Sequence, residues 1–161
     1  MELVGVRVEL PSNSPIVLLQ EQEGDERLLP IFIGGAEATA IALALEGTAT
    51  PRPMTHDLMK VMLEELGYRL DRVVITDLKD RTFFAELHLV GDDTTHTISS
   101  RPSDAMALAV RVNAPVYAEE AVIDKAGYSP DVESEEAEVE EEVLEQFREF
   151  IDSISPDDFE N

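Results

Sequence analysis

Two residue types are absent from this chain of 161 residues, and the lack of one of them excludes several kinds of chemistry. The chain has no cysteine and no tryptophan. Without cysteine it forms no disulfide, offers no thiolate to a metal and has no cysteine nucleophile. A cysteine-free chain also fits a reducing compartment, so we predict a cytoplasmic protein. No apolar run approaches the roughly 18 residues of a membrane span, and we expect no signal peptide and no membrane association.

Positive charge is scarce as well. Only 12 lysines and arginines face 35 acidic residues, which gives a net charge of −23. The excess is largest after residue 130, where Arg148 is the one basic residue. Long-range electrostatics of such a chain repel nucleic acids. A function on nucleic acid therefore needs local basic residues, a bridging divalent cation, or both.

The common cofactor and nucleophile motifs are also missing. The sequence contains no P-loop, no Rossmann glycine fingerprint, no zinc-ligand spacing and no G-x-S-x-G elbow. We therefore predict no organic cofactor.

The most informative feature that is present is an internal similarity between residues 2–47 and 69–114. A gapless shift of 67 positions aligns apolar positions throughout both stretches and places Glu37 on Asp104. Shared patterning alone could match the apolar positions, but the gapless register favours a duplication. Two halves packed face to face would bring Glu37 and Asp104, each in the first turn of a helix, to one cleft.

Periodicity and turn residues predict three strands followed by two helices, twice over. The predicted strands are 2–10, 16–20, 28–33, 70–78, 82–90 and 94–99, with a short extended segment at 115–117. The predicted helices are 36–46, 55–66, 102–112 and 118–125. The expected fold class is α+β, with duplicated βββαα units that form one mixed, largely antiparallel sheet with packed helices.

Composition divides the chain into two predicted parts. Residues 1–128 form the domain, and residues 129–161 hold a linker and an acidic amphipathic helix, predicted at 135–154. The apolar stripe of that helix would dock on its own domain or bind another molecule, and its carboxylates favour a basic protein partner. This stripe and the exposed strand edges favour a homo-oligomer.

The first segment that could carry chemistry is residues 51–58. Thr55 suits the cap of the predicted helix, so His56 and Asp57 would lie in its first turn, where the helix dipole favours carboxylates and anions. Arg52 lies between two prolines and could bind a phosphate. His56 could act as a general acid or base, or as a metal ligand with Asp57. A first-turn aspartate and a lone histidine are also ordinary structural residues.

The second segment, residues 99–105, again places an arginine, a hydroxyl and an acid at a helix start. Arg101 and Ser103 are candidate phosphate ligands, and Asp104 could bind a cation or orient Arg101 or Arg111. The alternative is an ordinary helix start with proline at its first position.

Three predicted helix starts would each supply a carboxylate, from Glu37, Asp57 and Asp104. Groups of oxygen ligands suit Mg²⁺ or Mn²⁺, which could bridge a phosphate to the protein and activate water. The alternative is that each carboxylate only complements the dipole of its own helix.

Three motifs follow one another along residues 1–128. They are Leu29-Pro30-Ile31-Phe32-Ile33-Gly34 with Glu37-Ala38, Pro51-Arg52-Pro53 with Thr55-His56-Asp57-Leu58, and Ser100-Arg101-Pro102-Ser103-Asp104-Ala105 with Ala107-Leu108-Ala109. In this order they resemble the bifunctional nuclease family of bacteria and plants. The resemblance implies a compact α/β domain and, for plant members, nuclease activity on RNA and DNA. Ser100 stands where many relatives carry an acidic residue, which removes one possible metal ligand.

The leading hypothesis is therefore a nuclease that hydrolyses phosphodiester bonds of RNA or DNA with assistance from Mg²⁺ or Mn²⁺. In it Glu37, Asp57 and Asp104 would bind the metal or orient water, and His56 would transfer the proton. The phosphate-binding residues would be Arg52, Arg101, Ser103 and Arg111. The alternative is a non-catalytic regulatory module that binds a protein partner or an anionic ligand.

Overall fold

The computed structural model describes residues 1–9 and 14–130, and its elements confirm the α+β class. The first half contains β1 (Glu2–Glu9), β2 (Ser14–Gln20), β3 (Leu28–Phe32), α1 (Gly35–Leu45) and α2 (Thr55–Glu65). The second contains β4 (Arg69–Lys79), β5 (Thr82–Val90), β6 (Thr95–Ser100), α3 (Pro102–Val112), β7 (Val116–Ala118) and α4 (Glu120–Ala126). None of the described helices is long and apolar enough to cross a membrane.

The strands form two sheets, so the prediction of one mixed sheet is wrong. The first sheet has the order β1-β2-β3 and is antiparallel throughout. The second has the order β6-β5-β4-β7, in which β7 runs parallel to β4. Because β5 and β7 occupy the two edges of β4, that strand has no free edge for the first sheet. The short extended segment predicted at 115–117 thus supplies the fourth strand of the second sheet.

The two halves place related elements at related positions. Three pairs of elements begin 67 positions apart, namely β1 and β4, β3 and β6, and α1 and α3. Each half therefore builds an antiparallel meander and continues into a helix of 11 residues. The origin of this correspondence in a duplication stays a prediction.

Helix α3 is the centre of the domain. Its residues from Ala105 to Ala109 are at most 1% exposed. It contacts α1, α2, β4 and β5. Four of its seven buried residues are alanine or serine, and small side chains let neighbouring elements approach closely. The first turn of α3 is consequently held against both helices of the first half.

Helix α2 carries a stripe of apolar side chains on the face that points away from the described core. Its inward side carries His56, which is 7% exposed, with Met59 and Leu63 packed against the core. The exposed members of the stripe are Leu58 (51%), Val61 (41%), Met62 (53%) and Leu66 (68%). This stripe is an unusual feature for a helix of a small domain, because apolar side chains gain free energy by leaving water.

The chain divides into two units, Met1–Tyr128 and Ser129–Asn161. The acidic helix predicted at 135–154 lies outside the described residues.

Candidate functional site

Arg101 lies at the junction of β6 and α3. Its backbone is extended (φ −69°, ψ 142°), because the following Pro102 disfavours helical geometry at the preceding residue and suits the first helical position. From this position the side chain reaches one turn along the helix, and its Nε donates a hydrogen bond to Asp104 Oδ2 at 2.6 Å. The arginine side chain stays 67% exposed, so its remaining N–H groups face solvent.

The same guanidinium also binds a carboxylate from the first half. Glu37 lies in the first turn of α1, and its Oε1 accepts a hydrogen bond from Arg101 Nη2 at 2.7 Å. The side chains of Glu37 and Asp104 are only 16% and 25% exposed. The structure thus brings Glu37 and Asp104 together, through one shared arginine.

Gly34 makes room for this contact. It precedes α1 with ordinary extended backbone (φ −75°), so its conformation does not require glycine. A Cβ atom at this position would instead collide with the Glu37 carboxylate. The absence of a side chain at residue 34 therefore lets Glu37 fold back over the start of its own helix and reach Arg101.

The two carboxylates are held in the ionised form. The pKa of Glu37 is lowered by a hydrogen bond from its own backbone N–H and by Arg101. Burial would raise the pKa of Asp104, but hydrogen bonds from Arg101 and His56 outweigh it and leave that pKa lowered. The pKa of Arg101 is raised by the same two carboxylates. At neutral pH the cluster therefore contains two anions and one arginine.

His56 joins the cluster from the start of α2. Its Nε2 lies 3.0 Å from Asp104 Oδ1, and because an ionised carboxylate only accepts, Nε2 carries the proton in this contact. Thr55 does not cap the helix as expected. The helix begins at Thr55, and the Asp57 carboxylate accepts a hydrogen bond from the Met54 N–H at 2.9 Å. Asp57 therefore fixes the turn from which His56 projects.

Asp57 and Arg111 form a second ion pair with a different character. Arg111 Nε donates to Asp57 Oδ1 at 2.5 Å, and its Nη1 donates to the Ala107 carbonyl at 2.7 Å. The Arg111 side chain is only 7% exposed. This hydrogen bond from Arg111 is also the main cause of the lowered pKa of Asp57. The pair ties the start of α2 to the last turn of α3, which gives Arg111 a structural contact in place of an open phosphate site.

The remaining predicted residues occupy contrasting positions. Ser103 is 6% exposed and lies in the first turn of α3. Arg52 is exposed, and its described hydrogen bond is made by its backbone carbonyl, which accepts from the Thr50 hydroxyl at 2.7 Å. No described contact joins the Arg52 side chain to Glu37, His56 or Asp104.

The predicted metal ligands are engaged with arginines. Among residues 1–9 and 14–130, no group of three or more His, Asp or Glu side chains is arranged to hold a metal ion. Glu37 and Asp104 share Arg101, and Asp57 pairs with Arg111. A divalent cation bound between Glu37 and Asp104 would have to displace the guanidinium, so the three carboxylates as placed do not fit a shared metal.

A groove of about 350 Å³ adjoins this cluster. Its lining includes Phe32, Gly34, Arg81, Phe83, Arg101 and Ser103. The sequence places Phe32 within a motif and Arg81 between two predicted strands, but neither was assigned to a site. The pairing of β5 with β6 brings Arg81 toward Arg101 within the second half, and the packing of the two halves adds Phe32.

Comparisons with known proteins identify the family of this chain. The description of the family whose profile matches residues 17–131 is "Bifunctional nuclease domain". A Mycobacterium tuberculosis protein, "Uncharacterized protein Rv1829", is 49% identical over 162 residues, which cover 99% of this chain and 96% of the relative. The chain therefore belongs to the bifunctional nuclease domain family.

Plant proteins are more distant relatives. The rice (Oryza sativa subsp. japonica) protein "Bifunctional nuclease 2" is 31% identical over 115 residues, covering 70% of this chain and 35% of the relative. The Arabidopsis thaliana protein of the same name is 31% identical over 112 residues, covering 66% of this chain and 34% of the relative. This chain thus corresponds to about a third of each plant protein.

Proposed function

We propose that this protein is a nuclease that hydrolyses phosphodiester bonds of RNA or DNA at the cluster of Glu37, His56, Arg101 and Asp104. The observation that carries the proposal is the shared arginine. Arg101 holds carboxylates from both halves, and one of these carboxylates also orients His56. The names of the plant relatives, which match the same domain, support the activity.

Arg101 is the phosphate-binding residue of the proposal. A guanidinium has five N–H donors, and Arg101 uses its Nε and one Nη2 donor on the two carboxylates. The remaining three can face a phosphate, since the side chain is 67% exposed. Donors already oriented toward the charge that develops at phosphorus stabilise the transition state without further reorganisation.

His56 is the proton-transfer residue. Asp104 accepts a hydrogen bond from Nε2–H, which fixes the tautomer, and in the proposal Nδ1 is the base that takes a proton from the attacking water. The water oxygen forms a bond to phosphorus, and the bond from phosphorus to the leaving nucleoside oxygen breaks. The same histidine can return the proton to that oxygen. Asp57 and Arg111 act as positioning residues, because they hold the turn that carries His56.

The contributions of Mg²⁺ or Mn²⁺ and of Arg52 stay predictions. A metal bound together with the nucleic acid would neutralise phosphate charge and activate water, but none of the steps above depends on it. Arg52 precedes α2 and could contact a phosphate once the nucleic acid is bound. An activity that survives EDTA would remove the metal from the proposal, whereas loss in EDTA with recovery in Mg²⁺ or Mn²⁺ would support it.

The experiment is cleavage of single-stranded RNA and DNA by the full chain and by matched variants. His56→Gln is compared with His88→Gln, a histidine 3.6 Å from Glu86 on β5. Asp104→Asn is compared with Asp71→Asn, an aspartate of similar exposure paired with Arg69 and Arg72. The proposal predicts at least a hundred-fold loss of cleavage in the first member of each pair and wild-type rates in the second. Circular dichroism and thermal melts confirm folding.

Equal cleavage by all purified variants would identify a contaminating nuclease and overturn the proposal. Complete absence of cleavage by wild type under every metal condition would also overturn it. The non-catalytic binding module would then be the better hypothesis for a protein of this composition.

A second candidate function rests on the exposed stripe of α2. We propose that Leu58, Val61, Met62 and Leu66 form the contact between two copies of this chain. Four apolar side chains, 41–68% exposed along one helix face, are more than an isolated surface residue requires. Two copies of a helix can pack antiparallel about a two-fold axis, which lets the same face serve both partners. The predicted basic partner of the acidic tail remains a separate prediction.

Light scattering on the full chain tests the contact. Wild type should be a dimer, and Leu58→Glu with Met62→Glu should be a folded monomer because two charges would be buried in the contact. The paired control is Glu64→Gln with Glu65→Gln on the same helix. A monomeric wild type would contradict the proposal.

A further inference from the structure

We propose that the groove beside Arg101 binds one nucleotide of a single strand, with Arg81 on a phosphate and the ring of Phe32 against the base. The inference deepens the proposed function, on which it rests for the class of ligand. It assigns to Arg81 and Phe32 roles in recognising single-stranded nucleic acid. The groove of about 350 Å³ lies near the lower end of pockets that bind small ligands, roughly 300 to 1,000 Å³, so it suits one nucleotide at a time.

Charge is the first argument. Glu37, Asp104 and Arg101 together are net negative, which would repel a phosphate from the arginine that is meant to bind it. Arg81 lines the same groove as Arg101. Among the residues that the structure describes, no carboxylate forms an ion pair with it. Arg81 therefore supplies the positive charge that offsets the cluster within a strongly acidic protein.

Backbone conformation is the second argument. Asp80 and Arg81 are the two loop residues between β4 and β5, because Lys79 pairs with Thr82. Both have left-handed backbone, with φ of 47° and 62°. Two-residue turns of this type favour asparagine followed by glycine, since a side chain strains the second position. An arginine at a position that suits glycine, with its side chain lining a groove, is the kind of strained residue that often marks function.

The exposed aromatic ring is the third argument. Phe32 ends β3 and is 59% exposed, although it adjoins a well-packed sheet. Beside a pair of arginines, an exposed ring is the usual means of holding single-stranded bases, because every base can stack on it. A duplex hides the faces of its bases inside the stack, so this arrangement favours a single strand.

The test is binding of a fluorescein-labelled oligothymidylate of about eight nucleotides, a length within the site sizes of single-strand binders. Anisotropy is measured over a range of salt concentrations with and without Mg²⁺, and a gel confirms that the probe stays intact. Phe32→Leu should weaken binding about ten-fold, with an unchanged salt dependence, because it removes stacking alone. Phe32→Tyr keeps the ring and should bind as wild type. Phe84→Leu, which removes a 41% exposed ring outside the groove lining, is the control.

Arg81→Gly is the more specific test, because it removes the cation without destabilising the turn. Glycine suits the left-handed turn, so the melting temperature should rise or stay constant while affinity falls about ten-fold. The slope of log affinity against log salt should also fall by roughly 0.7, the value for one lost phosphate contact on a single strand. Asp80→Gly relieves the neighbouring position equally without removing a cation, and it should not weaken binding.

The outcomes separate this inference from the nuclease proposal. Wild-type affinity in both Phe32→Leu and Arg81→Gly, or no binding by wild type, overturns the inference, whatever the cleavage assay shows. Loss of affinity in both variants supports it even where no variant cleaves, in which case the proposed catalysis alone fails. An unchanged salt slope in Arg81→Gly overturns the phosphate contact.

Discussion

The starts of α1 and α3 occupy related places in the two halves, but the residue that precedes the helix differs between them. A shift of 67 positions places Gly34 on Arg101 and Glu37 on Asp104. Both positions carry a carboxylate, but the residue before the helix is glycine in the first half and arginine in the second. Because Gly34 has no side chain, Glu37 folds over it and reaches Arg101 of the second half. The two helix starts therefore share one asymmetric cluster.

This difference shows how related halves can produce one site. Two halves with an arginine each would place four charges in two self-contained ion pairs. The glycine in the first half leaves Glu37 without a local partner, so Glu37 pairs with Arg101 across the contact of the halves. The resulting ion pairs join α1 to α3, and the hydrogen bond of His56 to Asp104 adds α2.

Removal of the shared arginine should have the largest effect on activity. Arg101→Gln leaves Glu37 and Asp104 facing each other with no cation between them and removes the donors for phosphate. We expect cleavage to fall by about 10² to 10³, as for loss of one preorganised donor in other active sites. Stability should fall only modestly, because the arginine is 67% exposed, although Glu37 and Asp104, at 16% and 25% exposed, lose their shared cation. Cleavage rates and urea unfolding of the same preparation measure both effects.

Arg101→Lys is the informative companion. A lysine keeps the charge but cannot donate to two carboxylates and a phosphate in one plane. Its cleavage rate should lie well below that of wild type. Full activity in the lysine variant would contradict the forked contact.

Loss of the Arg111 ion pair should mainly lower the stability of the fold, whereas loss of Arg101 should mainly lower cleavage. Arg111→Met removes a buried partner of Asp57 and loosens α2 from α3. We expect the free energy of unfolding to fall by about 2 kcal/mol, below the usual cost of breaking a fully buried pair because Asp57 is 33% exposed. Urea denaturation measures the loss. Unchanged stability would show that the pair does not hold the two helices together.

Much of this arrangement could be predicted from sequence. The helix starts at Gly35 and Pro102 follow from glycine and proline punctuation, and the gapless shift correctly indicated that Glu37 and Asp104 would meet. The role of Arg111 could not be predicted, since an arginine in the last turn of a helix is normally solvated. Only the approach of α2 buries it against Asp57.

Two further features depended on packing between distant elements. The arrangement in two sheets could not be predicted, and the three residues of β7 are too few to reveal which strand edge they join. The groove beside Arg101 joins the end of β3, the turn after β4 and the start of α3. Periodicity describes each of these elements alone and contains no information about their distance in space.

Gly34→Ala tests whether the missing side chain at residue 34 is what lets Glu37 reach Arg101. The new methyl group would displace the Glu37 carboxylate from Arg101, while the backbone of residue 34 suits alanine. We expect cleavage to fall a few-fold, with a change in stability below about 1 kcal/mol. Gly35→Ala is the matched control, because a Cβ atom there meets no neighbour within 4 Å. Equal activity in the two variants would show that the position of Glu37 is unimportant.

The smallest expected effect is on acid stability. The pKa of Glu37 lies below its ordinary value of 4.5 in the folded protein, so the carboxylate adds stability above that pH. The contribution is lost as the pH falls below 4.5 and passes through the folded pKa. The difference in unfolding free energy between wild type and Glu37→Gln, measured by urea denaturation from pH 7 to pH 3, should therefore shrink on acidification. A difference that grows on acidification would contradict the stabilising contribution of the ionised Glu37 carboxylate.

In the proposed site, carboxylates of both halves act together through Arg101. A double-mutant cycle measures this coupling directly. The catalytic efficiency, kcat/KM, for cleavage of a single-stranded oligonucleotide is measured for wild type, Glu37→Gln, Asp104→Asn and the double variant. We predict that each single change lowers the efficiency and that the double variant loses much less than the product of the two losses, because both act on one arginine. A wild-type efficiency for Glu37→Gln, or losses that simply multiply, would contradict the claim.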